Sequence, residues 1–384
     1  MKLLILLSRI PYPLEKGDKL RAYHQIKVLS KHHSIILVAS GDKNDPYQKA
    51  REALSPYCDE IHFFHIKKIT RLWNSMRFFV AGKPLQTGFF YSKQIRKLIT
   101  HKSVSRSIDH LYCQLFRTAE IVKDINVLKT IDYQDAFSSS MKKRMQATRG
   151  FIKWLLWIEY KRVKRYEKQS YRWFDQHTVI SEDDRERMGL PRIKIIRNGV
   201  DAEYFNLFEN KNPRHDLIFT GNMSYLPNVH AAEFLVRKIM PLIWAERPDT
   251  TLVLAGASPV KRVQRLAGKN VIITGWIEDI RQAYKDARVF IAPMQIGTGL
   301  QNKILEAMAM ELPCITSEAT WNPIGAKKDD EILVADSPEQ YAQKALYLLD
   351  RHPERVRIGN NARRFILARF DWKACTEQLV ELIR

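Results

Sequence analysis

Short apolar, β-branched runs alternate with helical stretches along this chain, and they do so twice over. In the first half the runs fall at residues 3–7, 34–39, 60–66, 110–113, 128–131 and 177–180. In the second they fall at 216–220, 251–255, 271–274, 289–292, 314–316 and 332–335, with helical stretches such as 229–244 and 338–349 between them. Buried apolar strands separated by helices predict parallel sheets covered by helices on both faces. The chain has 384 residues, too many for one ordinary core and enough for two domains. The expected fold is therefore α/β, with two doubly wound domains. The joint is expected at 201–215, where Asn206, Asn210, Lys211, Asn212 and Pro213 break the pattern. In open α/β sheets ligands bind beyond the carboxyl ends of the strands, so two facing sheets would share one cleft. The first apolar run reads as a buried strand and not as a secretion signal, because it is short, Arg9 ends it and no small-residue cleavage site follows.

Residues 296–310 lie between two strand-like runs and read as glycine loop, then helix. Gly297 and Gly299 would leave backbone N–H groups uncovered at the positive end of the helix, a seat for phosphate. Glu306 lies about two turns beyond Gly299 and can accept hydrogen bonds from a ribose. Together they point to a nucleotide-bound substrate; the alternative is a plain βα turn. Gly17 opens a second loop before a helix at 18–30, and Lys16, Lys19 and Arg21 add positive charge for a diphosphate or an acceptor. A strand-to-helix turn in a basic protein is the alternative. Asn198-Gly199 is a turn pair. Gly221 follows the first strand of the second half, where Asn222 and Asn228 can bond a sugar or phosphate, or cap the turn.

The net charge is +21, which favours anionic partners. Residues 142–172 hold eleven Lys/Arg against Glu159 and Glu167, and seven of the eight residues from 151 to 158 are apolar. A second basic, aromatic stretch runs from 67 to 90, with Trp73, Phe78, Phe79, Phe89 and Phe90. Such segments suit an anionic membrane surface, or form a solvated charged face over core aromatics. The apolar run at 151–158 is far short of the roughly 20 residues needed to span a bilayer. The basic residues form no nucleic-acid motif, so no nucleic acid is expected as partner. Cys58, Cys113, Cys314 and Cys375 are scattered singly, and the eleven histidines form no metal cluster by spacing.

The order of these landmarks resembles the retaining glycosyltransferases of the GT-B fold, family 4. Asn198-Gly-Val-Asp201 with Phe205, Phe219-Thr-Gly221, Gly299 through Glu306-Ala-Met308, and Pro313 carry the resemblance. Pro11-Tyr-Pro13, Lys16-Gly-Asp-Lys19 and Tyr23-His24 are similar to a bacterial subgroup tied to exopolysaccharide assembly. The resemblance implies two Rossmann-like domains, at 1–200 and 201–368, with a terminal helix at 369–384 crossing back to the first. It implies a nucleotide-sugar donor, held mainly by the second domain. Transfer to a glycan or lipid-linked acceptor is expected, and the basic segments place the chain at the cytoplasmic face of the membrane. It implies no bound metal and no cofactor beyond the donor itself. Glu306 matches the second glutamate of the family's Glu-x7-Glu element, and Thr298 stands where the first would be. Gly299 and Leu300 match backbone positions near the donor phosphates and sugar, and Lys303 would neutralise diphosphate. Asp132 and Asp135 stand near a histidine position of the family, so either is a candidate acceptor base or hydroxyl ligand. Asp135 could equally cap the next helix. A non-hydrolysing nucleotide-sugar epimerase of the same architecture and a basic nucleic-acid- or lipid-binding protein are the rival readings.

Overall fold

The computed structural model describes all residues except 15, 147, 149, 207–212 and 296–299, and the side chain of 143. It divides into two compact units: Met1–Asn198 with Cys375–Arg384, and Gly199–Ala374.

The first unit is built on seven parallel strands: β1 (Lys2–Leu7), β2 (Ser34–Gly41), β3 (Glu60–His65), β4 (His110–Gln114), β5 (Leu128–Gln134), β6 (Gln176–Val179) and β7 (Ile193–Ile195). Their order in the sheet is β3-β2-β1-β4-β5-β6-β7. β1 lies between β2 and β4, with Leu3 opposite Ile35 on one side and His110 on the other. Every residue of β1 after Lys2 is buried, because helices cover both faces of a parallel sheet. This is why the run at 3–7 is continuously apolar and does not alternate. β7 has no counterpart among the sequence expectations; three residues with Lys194 exposed make too short a signal. The end of the chain also belongs here: Leu379, Val380, Leu382 and Ile383 join the core formed by β1, β2 and the helix Gly17–Leu29.

The second unit holds β8 (His215–Thr220), β9 (Leu252–Ala255), β10 (Val271–Gly275), β11 (Ala287–Ala292), β12 (Cys314–Thr316) and β13 (Leu333–Val334), all parallel. They run in the order β10-β9-β8-β11-β12-β13. In both sheets the order reverses beside the first strand, the arrangement of a doubly wound fold, so the loops leaving β8 and β11 diverge and open a crevice. The helix expected over 229–244 is present but broken: Leu226–Phe234 passes through a π turn at Leu235–Ile239 into Met240–Glu246. Pro241 explains the break. It has no N–H to give, and its ring would clash with a carbonyl one turn back, so the helix widens there.

Gly199 opens the second unit and leaves no room for a side chain. A Cβ would sit 2.8 Å from the backbone nitrogen and Cα of Trp372. The Val200 N–H donates to the Phe370 carbonyl at 2.7 Å, so the two segments run side by side. The Asn-Gly pair is thus a packing requirement as well as a turn.

Candidate active site

The carboxyl ends of β8, β9 and β10 each meet a glycine: Gly221, Gly256 and Gly275. Gly221 and Gly256 have φ of +152° and +138°, and a Cβ on Gly256 would lie 2.0 Å from the Gly221 carbonyl oxygen. Only glycine fits two loops this close. Their approach leaves a cavity of about 300 Å³, lined by Thr220, Gly221, Gly256, Ala257, Trp276, Ile277, Ile280, Lys303 and Glu306.

Lys303 and Glu306 come from the helix Asn302–Ala309. Three residues apart, they share one helix face and reach the same cavity. The Glu306 carboxylate accepts the hydroxyl of Tyr284 at 2.9 Å, and Thr220 meets that hydroxyl at 2.9 Å. Tyr284 is fully buried, so this chain of bonds fixes the carboxylate from behind. Burial raises the Glu306 pKa; the Tyr284 bond and the Lys303 charge oppose the rise. The Lys303 ammonium contacts the side-chain oxygen of Asn228 and lies 4.8 Å from the centre of the Phe219 ring. Burial lowers its pKa to about 8, against the pull of Glu306. The cavity therefore holds a cation costly to desolvate, which an anionic group would stabilise. Trp276 is 71% exposed at the rim and offers an aromatic face.

Asn228 donates its amide to the Asn222 carbonyl at 2.9 Å while its oxygen takes Lys303. The Asn222 side chain is held within its own turn by Ser224, at 2.9 Å from the N–H and 2.7 Å from the hydroxyl. Asn228 therefore orients the lysine, and Asn222 shapes the turn. Leu300 is half-buried against the core of this unit. Gly297, Thr298 and Gly299 lie outside the described residues. The helix they were expected to open starts at Asn302, so Glu306 stands little more than one turn inside it.

In the first unit several expected roles change. Arg21 was expected to face an anion from the Gly17 loop. It is fully buried, its Nε 2.6 Å from Asp132. Asp132 is fully buried as well, and its oxygens also accept from Tyr112 at 3.0 Å and Thr178 at 2.9 Å. A carboxylate so enclosed does not reach an acceptor hydroxyl; its place on an inner strand, β5, put it inside. Arg21 also donates to the Asn198 side chain at 2.8 Å and the Arg197 carbonyl at 3.2 Å. Asn198 is thereby an anchor of the chain leaving β7. Gly17 is the first residue of its helix, exposed, with nothing near a would-be Cβ. Asp18 in that first turn pairs with Arg9 at 2.7 Å and Arg117 at 3.0 Å.

Asp135 reaches the surface just beyond β5. The surrounding protein and the nearby Asp184 raise its carboxyl to about 6, partly offset by Arg117. It does not cap the helix Phe137–Gln146: Asp184 accepts the Ala136 N–H at 3.0 Å and Glu167 accepts the Ser138 N–H at 3.0 Å. Asp135 is left facing outward.

Tyr284, Trp276 and Gly256 complete the cavity without having been marked in the sequence, and Thr220 stood there only as the middle of Phe219-Thr-Gly221. The repeated strand-then-glycine pattern at 220–221, 255–256 and 274–275 is a signal that finds Gly256. Tyr284 carries none, since a single aromatic in a short helix reads as core. Among the described residues no group of His, Cys, Asp or Glu could hold a metal ion, and no helix is long and apolar enough to cross a membrane.

Comparison with known proteins fits this geometry. Residues 214–351, within the unit that holds the cavity, match the family described as glycosyl transferases group 1. The chain is 22% identical over 395 residues to an uncharacterized 44.6 kDa protein in the cps region of Klebsiella pneumoniae, covering 97% of each. It is 27% identical over 153 residues to the UDP-Gal:alpha-D-GlcNAc-diphosphoundecaprenol alpha-1,3-galactosyltransferase of Escherichia coli, covering 34% of this chain and 38% of that one. Among solved structures, the sucrose-phosphate synthase of Thermosynechococcus elongatus superimposes with a TM-score of 0.70 at 16% identity, over 100% of this chain and 98% of that one. With two Rossmann-like sheets and a group 1 match on the unit that carries Lys303 and Glu306, the chain is a glycosyltransferase of GT-B fold.

Proposed function

We propose that this enzyme is a retaining family 4 glycosyltransferase that takes a nucleoside-diphosphate sugar and glycosylates a hydroxyl of a glycan or lipid-linked glycan. The setting is bacterial surface polysaccharide synthesis at the inner face of the cytoplasmic membrane, with an anionic membrane surface as partner. The observation that carries the reading is the pairing of Lys303 and Glu306 in one cavity at the carboxyl ends of β8, β9 and β10. A ribose donates to the Glu306 carboxylate, already held by Tyr284. The diphosphate lies against Lys303, whose charge balances the growing negative charge as the donor C1–O bond breaks. The acceptor oxygen forms the new bond to C1, and its proton passes to a departing phosphate oxygen. The relatives in a cps region and in undecaprenol-linked galactosyl transfer support the polysaccharide setting.

A thermal-shift screen of UDP, GDP, ADP and their sugar conjugates tests the reading; stabilisation by none of them overturns it. Donor incubated without acceptor should yield no epimerised sugar, which separates transfer from the epimerase reading. Glu306→Ala should weaken nucleotide binding about tenfold to a hundredfold, the worth of a hydrogen bond to a charged group. Calorimetry showing unchanged affinity would remove Glu306 from the site.

The pH profile of kcat/KM should be bell-shaped. Asp135 ionises as pH rises through about 6, and Lys303 loses its charge as pH rises through about 8. If the Asp135 carboxylate positions the acceptor, Asp135→Asn should flatten the acid limb alone. An acid limb that persists in this variant assigns that limb to another group.

A further inference from the structure

One face of the helix Lys68–Val80 is apolar and uncovered. Ile69, Leu72, Trp73, Met76 and Val80 are 75%, 65%, 71%, 52% and 83% exposed. Their spacing of three and four residues sets them in one stripe. The opposite face is fixed to the protein. Arg71 is buried and donates to the carbonyls of Ile66 at 3.1 Å and Gly41 at 3.0 Å, and Asn74 donates to the Tyr91 carbonyl at 3.1 Å. The helix cannot roll to bury its stripe without breaking these bonds. A second exposed apolar group, Phe151, Ile152 and Trp154, opens the helix Phe151–Tyr171. The two helices touch: Arg162 lies 3.8 Å from the centre of the Phe79 ring and donates to the Phe79 carbonyl at 2.8 Å. Glu159 accepts the Leu85 N–H at 2.8 Å.

The segments that carry this surface are strongly basic, although Arg71, Lys83, Arg96 and Lys102 meet Asp42, Glu120, Asp124 and Glu60 from other segments. Residues 61–108 contain ten Lys/Arg and no Asp or Glu. Residues 136–158 contain five Lys/Arg and no acid. An apolar stripe with Trp and Met, set in a field of lysine and arginine, matches the boundary between acyl chains and anionic headgroups. A protein partner would need a complementary acidic rim around an apolar groove; the bilayer supplies both on a flat surface.

We propose that the Lys68–Val80 stripe is the segment that inserts into an anionic phospholipid surface, with the start of Phe151–Tyr171 as a second contact. This deepens, and in that respect rests on, the membrane part of the function proposed above. Its test uses no donor, so either can fail alone. The full chain is co-sedimented with vesicles of pure phosphatidylcholine and of phosphatidylcholine and phosphatidylglycerol in equal parts. The wild type should bind the anionic vesicles, weakly or not at all the neutral ones, and bind less as salt rises. Trp73→Glu and Met76→Glu should each lower anionic-vesicle binding at least about tenfold, since each puts a charge where an apolar side chain is inserted. Both positions are exposed, so the fold should survive, as an unchanged melting temperature will show. Val356→Glu, an exposed site of the second unit, should bind like wild type. A second variant, Lys67→Glu with Lys68→Glu, should lose anionic-vesicle binding with the stripe intact. Undiminished binding by Trp73→Glu and Met76→Glu overturns the proposal. So does equal binding to both vesicles, or a dimer abolished by Trp73→Glu with no vesicle binding by wild type.

Discussion

Lys303→Met should lower kcat about one hundred- to one thousand-fold, the cost of removing one preorganised group that stabilises leaving-group charge. The melting temperature should stay near that of wild type, because the variant removes a cation that burial already disfavours. The pH dependence gives the sharper result. Above about 8 the free enzyme holds Lys303 mostly neutral, so binding a nucleotide sugar must draw in a proton, and affinity should fall with rising pH. Just below about 8 Lys303 is already charged and the phosphates of a nucleotide sugar do not titrate, so this fall should be absent there. Lys303→Met removes the alkaline fall and Lys303→Arg moves it out of range, both measurable by calorimetry across pH. A fall that survives in Lys303→Met would assign the titration to another group. Asn228→Ala should bring part of the same loss, since the lysine would lose the oxygen that aims it.

Arg21→Met should destabilise the first unit by about 3–5 kcal/mol, because it leaves the Asp132 carboxylate buried without its cation. For a unit of this size that is a fall in Tm on the order of 10 °C. Asp132→Ala strands the guanidinium in the same way and should cost as much. The double variant should recover part of the loss, since neither charge is then left alone, and a double-mutant cycle in urea gives the coupling. Additive single effects would show that the pair contributes no coupling. The contrast with Lys303 is the useful one. Of two cations from opposite halves of the chain, the fully buried Arg21 is expected to move Tm and the half-buried Lys303 to move kcat.

Most of the fold was legible in the sequence because parallel strands buried on both faces write themselves as unbroken apolar runs. The twelve expected runs all lie on strands, with ends off by a few residues. The thirteenth strand, β7, was too short to register. The helix over 229–244 was legible as a helix but not as a broken one; Pro241 was visible, though where the chain would absorb it was not. In the site, Lys303 and Glu306 were legible together, since residues three apart on a helix share a face. The basic and apolar segments at 67–90 and 151–158 were legible as composition. The structure resolves them into buried roots such as Arg71 and Phe78 and outward residues such as Trp73 and Phe151.

The sequence alone determined the periodicities: which stretches are strands, where glycines punctuate them and which side chains share a helix face. These are local properties, fixed by steric rules acting within a few residues. Only the tertiary structure decided which charges meet. Arg21 and Asp132 lie 111 residues apart, and both read as ligand-facing until the sheet set them side by side. Tyr284 behind Glu306, Asn228 under Lys303 and Glu167 in the capping place open to Asp135 are pairings of the same kind. Burial strengthens electrostatic interactions and punishes unpaired charge, so the partner sets the role, and partners are chosen by the fold.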